Sequence, residues 1–165
     1  MIRRFPPAQC AFTLVETAVA IAVLGIGVAS TIGALTQMNS IAATSRNYTG
    51  AYTILMNQID LFQSAAPFNP QKNQIPKDST NTPATYDMTI GTHAIGYQNP
   101  STGTVTAAWP IYQDPNTGVL VTGAVTTTVS QTTTPNTYQA VFSITYTDRG
   151  GTHTWSMTTI RTSDS

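Results

Sequence analysis

The chain has 165 residues, of which only 8% are charged, and its seven basic and seven acidic side chains balance. So sparse and neutral a pattern excludes a strongly electrostatic surface for nucleic acid or anionic membrane. Cys10 is the only cysteine, which excludes an internal disulfide.

The first eleven residues are short and polar, carry Arg3 and Arg4, and hold Pro6 and Pro7, which keep a helix from extending backward cleanly. Lipid attachment at Cys10 would need an apolar core before it, and Met1 to Gln9 supply none. From Ala18 to Leu35 there are eighteen residues without charge. With Leu14 and Val15 in front, the apolar span reaches the roughly 20 residues a helix needs to cross a bilayer. A cleavable secretory signal has an apolar core of about 7–15 residues, shorter than this run. Because flanking basic residues stay cytoplasmic, Arg3 and Arg4 place the C-terminal part outside the cytoplasm.

Glu16 is the only glutamate and sits at the entrance of the apolar run. Burying its ionised carboxylate costs several kcal/mol unless a partner is supplied. It is therefore either a functional group or a side chain near enough to the membrane edge to reach headgroups and water.

The order of basic leader, small residue, Phe12-Thr13-Leu14-Val15-Glu16 and a long apolar run resembles the N-terminus of type IV prepilins and type II secretion pseudopilins. The resemblance implies cleavage between Ala11 and Phe12 by a membrane-embedded prepilin peptidase that also methylates the new amino terminus. Ala11 stands where the family usually has Gly, the mildest replacement, so processing is expected to persist. Glu16 would be the fifth residue of the mature chain. There its carboxylate could meet the Phe12 ammonium of a neighbouring subunit and set the register of assembly. At an effective dielectric near 20 such a pair about 4 Å apart gains about 4 kcal/mol before desolvation. The leader would remove Cys10, Arg3 and Arg4, leaving the mature chain slightly acidic and without a thiol. Implied partners are the peptidase/methyltransferase, other pilin or pseudopilin subunits, an inner-membrane assembly platform and the lipid bilayer. Nucleic acid is not expected.

Within the apolar run Gly25, Ala29 and Gly33 recur every four residues, a small-residue face on which another helix could approach closely. Glycine is also simply commoner in membrane helices. After Thr36 the pattern turns amphipathic: Ile41, Tyr48, Tyr52, Leu55, Ile59 and Phe62 advance by threes, fours and sevens and predict one buried helical face. A helix from Thr13 to Ala65 would be roughly 75–80 Å long. Its second half would then project beyond the membrane and support a head.

Pro67, Pro70, Pro76 and Pro83 end the helical pattern and predict an irregular connection. The remainder is rich in Thr, Val, Ile and Tyr between turn signals, predicting strands near 88–97, 105–112, 119–130, 138–147 and 152–161. The turn at Asp148-Arg149-Gly150-Gly151 marks the clearest hairpin. Domain organisation is thus a leader (1–11), a transmembrane half-helix (12–35), an amphipathic half (36–65), a connecting loop (66–85) and an antiparallel β head (86–165). The fold class is α+β, with one long N-terminal helix on a C-terminal antiparallel sheet, the layout that the pilin resemblance also implies.

His93 and His153 are far apart in sequence, and each aspartate is accounted for by a turn or a surface, so no catalytic set and no cofactor are expected. Asp114-Pro115-Asn116-Thr117-Gly118 has the opening spacing of a calcium loop. It lacks the closing carboxylate and is a complete turn signal on its own, so no metal site is assigned. The expected function is that of a structural subunit of a type IV pilus or type II secretion pseudopilus, in the bacterial inner membrane before assembly and in a filament afterwards. The alternative is a static single-pass anchor with a Thr-rich adhesive or partner-binding head.

Overall fold

A computed structural model describes residues 13–115, 118–148 and 150–164. Helix α1 runs Leu14–Ser64, and the chain separates into two units, Met1–Ala42 and Ala43–Ser165. In the first unit the described residues are α1 alone, and every one of them is exposed. Its hydroxyls do not interrupt the apolar run, because each bonds back to a carbonyl one turn earlier: Ser30 to Ile26 at 2.8 Å, Thr31 to Gly27 at 2.9 Å and Thr36 to Ile32 at 2.9 Å. Among the described residues one helix, α1, is long and apolar enough to cross a membrane.

In the second unit the end of α1 shares one core with an antiparallel sheet. The strands are β1 (Gly91–Ile95), β2 (Tyr97–Gln98), β3 (Val105–Thr106), β4 (Ala108–Gln113), β5 (Leu120–Gln131), β6 (Thr137–Asp148) and β7 (Gly151–Thr162). The main sheet is ordered β1-β5-β6-β7, with β4 also pairing β5, while β2 and β3 form a separate small ribbon. Strict alternation along β6 buries Tyr138, Ala140, Phe142, Ile144 and Tyr146. Against them lie Leu55 and Phe62 of α1, with Phe62 edge-on to Phe68 at 5.1 Å and to Phe142 at 6.0 Å.

The expected helical stripe is corrected in phase. Leu55 and Phe62 are buried and Ile59 is partly so, but Ile41, Tyr48 and Tyr52 are 62%, 43% and 45% exposed. The buried face instead runs through Asn47, Ala51, Ile54, Leu55, Gln58 and Phe62. Small residues explain the shift, since α1 comes so close to β4 that a Cβ at Gly50 would collide with the Ile111 carbonyl oxygen. Two expected strands are also each divided. β1 and β2 are separated at Gly96, where a Cβ would lie 2.5 Å from Val105 and 2.9 Å from the Pro83 carbonyl. The 105–112 segment breaks at Ala107 into β3 and β4, and β4 has a register shift between Pro110 and Tyr112. The connection after α1 contains one 3-10 turn at Pro70–Lys72, closed by Asn73 in the left-handed region.

Arg161 of β7 ties the end of α1 to the C-terminal segment. Its guanidinium donates to the Phe62 carbonyl at 2.6 Å and the Ala65 carbonyl at 2.5 Å, and to Asp164 at 2.8 Å, while lying 4.8 Å from the centre of the Phe68 ring. The last turn of α1 has no basic residue of its own, so β7 supplies the cation that its exposed carbonyls favour.

Gly50→Ala tests the close approach. In an open helix this change would gain about 1 kcal/mol. Here overpacking against Ile111 is expected to reverse the sign and cost about 1–3 kcal/mol, read as a lower midpoint of chemical unfolding.

Candidate functional site

Thr13 and Glu16 form a closed pair at the start of α1. One carboxylate oxygen of Glu16 accepts from the Thr13 amide and from the Thr13 hydroxyl, both at 3.2 Å, and the Glu16 amide donates to the Thr13 hydroxyl oxygen at 3.3 Å. This is a capping box, which satisfies amides that the first helical turn leaves without partners and sets a carboxylate at the positive end of the helix dipole. The Thr-x-x-Glu spacing immediately before an apolar run is the sequence signal for it, and a reading centred on intersubunit charge passes over it.

Ala11 and Phe12 lie outside the described residues, as do Arg3, Arg4 and Cys10. Gly25, Ala29 and Gly33 lie along the exposed apolar part of α1, and a Cβ added at Gly25 or Gly33 meets nothing within 4 Å. That part of the helix also exposes Val19, Ile21, Leu24, Ile26, Val28, Ile32 and Leu35. Such a surface is tolerable only against lipid or another apolar helix.

In the second unit the structure brings together residues that the sequence separates. Asp87, buried at the base of β1, accepts from the Thr89 hydroxyl at 2.6 Å, pairs with Lys77 at 3.0 Å and faces His93 at 3.4 Å. His93 is 2.9 Å from the same Thr89 hydroxyl. Asp, His and a hydroxyl thus meet, but the short bond directs the Thr89 proton to the carboxylate, and the group fastens the loop to the strand. Burial would raise the Asp87 carboxyl, yet the Thr89 hydroxyl and amide, Lys77 and His93 outweigh it and hold it below the usual range. Asp148 accepts from Asn47 of α1 at 3.1 Å and lies 3.1 Å from His153. There too burial pushes upward and is outweighed, by Asn47, the Gly150 amide and His153. Asp78 is held far below the usual range by the side chains of Thr80, Asn81 and Thr85 and by the Thr80 amide. Asp164 is lowered by the Phe68 amide and then by Arg161.

At the Asp114 segment the Gly118 amide donates to the Asp114 carbonyl at 2.8 Å and Gly118 has φ +69°; Asn116 and Thr117 lie outside the described residues. Among the described residues no group of three or more His, Cys, Asp or Glu side chains could hold a metal ion.

Residues 6–32 match the family model of the prokaryotic N-terminal methylation motif, the signature of type IV prepilins and pseudopilins. The motif supports a type IV pilin-like precursor that is processed by prepilin peptidase and N-methylated, and the long apolar helix fits membrane anchoring. Proteins with this motif are structural. No curated protein and no solved structure matches the chain.

All four lowered carboxyls have folded pKa values below the unfolded value of about 3.9. They therefore contribute stability that is complete above that pH and lost as pH falls through the folded values. The unfolding temperature of the head is expected to hold between about pH 7 and 5 and to fall below about pH 4, as followed by circular dichroism.

Proposed function

We propose that the protein is a subunit of a type IV pilus or type II secretion pseudopilus. It is inserted with Arg3 and Arg4 in the cytoplasm and residues 86–165 outside, cut between Ala11 and Phe12, and drawn into a filament through α1. The observation that carries this reading is the methylation motif at residues 6–32 running directly into an apolar helix whose described residues are exposed as far as Ala42. The Phe12 ammonium of one subunit meets Glu16 of the next and fixes register. Gly25, Ala29 and Gly33 let neighbouring helices approach closely. An inner-membrane assembly platform and other subunits of the same class are the partners this role requires.

The capping box favours a second reading, a permanently anchored envelope protein. Glu16 already has a use inside its own chain, so its presence alone does not require a neighbour.

Two substitutions separate these uses of Glu16. Gln also serves in a capping box, so Glu16→Gln keeps the helix start while removing the charge. Glu16→Ala removes both. If the carboxylate sets register, both variants insert in the membrane but neither enters filaments at more than about a tenth of the wild-type level, because an interaction of a few kcal/mol is lost. Normal incorporation of Glu16→Gln would confine Glu16 to capping and overturn the register role.

A further inference from the structure

One face of the main sheet packs on α1, and the chemistry of the opposite face is nearly uniform. Along β5, β6 and β7 the solvent-side residues are mostly Thr or Ser, and none is charged. Across β6 and β7 their hydroxyls join in successive rungs: Ser143 with Ser156 at 2.8 Å, Thr145 with Thr154 at 3.0 Å and Thr147 with Thr152 at 3.1 Å. A fourth rung, Thr92 with Thr128 at 2.9 Å, lies across β1 and β5. In each rung one hydroxyl donates to the other, so one O–H and several lone pairs remain to face outward. Rungs recur every second residue, about 6.6 Å apart along the strands.

This chemistry discriminates between partners. Phosphate polymers and anionic headgroups need Lys or Arg, which the face lacks. An apolar partner would leave the remaining O–H of each rung without an acceptor, at a cost for each rung. A second copy stacked face to face would do the same, since tight sheet packing expels water from interdigitating side chains. What fits is a neutral polymer that presents hydroxyls repeatedly and stays partly hydrated. Its ring C–H groups can lie on the Thr methyls and Val141 while its hydroxyls and bridging waters meet the rungs.

We propose that the outer face of β5, β6 and β7 is a binding surface for neutral polysaccharide. Charge complementarity selects this occupant: an uncharged face with paired donors and acceptors suits an uncharged polyol. The surface acts whether or not the leader is removed, so it stands apart from the assembly reading.

The test uses the full chain in a sugar-free zwitterionic detergent, passed over cellulose, chitin and cross-linked dextran. Retention on at least one of these is expected, undiminished by raised salt, with T145V/T154V weakening it about tenfold through loss of both hydroxyls of one rung. T145S/T154S, which keeps both hydroxyls, should restore it, and circular dichroism checks that each variant is folded. Failure of all three matrices to retain the chain would overturn the proposal. So would unchanged retention by folded T145V/T154V, or a wild-type dimer in sedimentation that this variant abolishes. Because cleavage and filament entry are read separately, either reading can fail while the other stands.

Discussion

The constraint on which the rest depends is the apolar surface of α1 between Leu14 and Leu35, every residue of which is exposed. Each large aliphatic side chain left in water forgoes about 1.5–3 kcal/mol relative to burial. With seven or more such residues along the helix, the unpartnered state in water is untenable. Lipid would satisfy this surface in a membrane, and under the proposed function neighbouring helices would satisfy it in a filament. The back-bonded hydroxyls of Ser30, Thr31 and Thr36 make both environments accessible, because they leave few polar groups seeking water. One segment can thus serve as an anchor first and as an assembly surface later.

The second unit solves a separate problem, holding a small sheet on a helix that has few large side chains to offer. Gly50 and Ala51 let α1 lie close to β4, and Leu55 and Phe62 fill the space that opens further along. Polar contacts fix the two ends of the same helix segment. Asn47 meets Asp148 near one end, and at the other Arg161 takes the carbonyls of Phe62 and Ala65. Both contacts come from the β6–β7 hairpin, so the last strands to be made complete the attachment. This leaves the other face of the sheet free of structural duty, and it is there that the hydroxyl rungs lie.

Much of this was legible in the sequence. The strict alternation of Tyr138 to Tyr146 and the turn after Asp148 gave the β6–β7 hairpin, and the methylation motif with its apolar run gave the anchor. The phase of the helix face was not legible, because large residues dominate a periodicity reading. The contact is set by Gly50 and Ala51, with Asn47 and Gln58 buried where a polar residue suggests exposure. Divided strands escaped notice for a related reason. At the break, Gly96 lies so close to Pro83 and Val105, from other parts of the chain, that no side chain fits there. The Asp87–His93 and Asp148–His153 pairs need only a local fold, yet the strands that position them had to be known first. The cap at Thr13 is legible from its spacing to Glu16, whereas the use of the Glu16 charge is not.

The central claim is that this chain is a precursor whose function begins when its leader is removed at Phe12. Its most direct test is the N-terminal residue and intact mass of protein recovered from membranes with and without a co-expressed prepilin peptidase. The account predicts an N-methylated Phe12 as the first residue only when the peptidase is present. An intact leader in both samples would contradict it and leave a static anchor carrying the head.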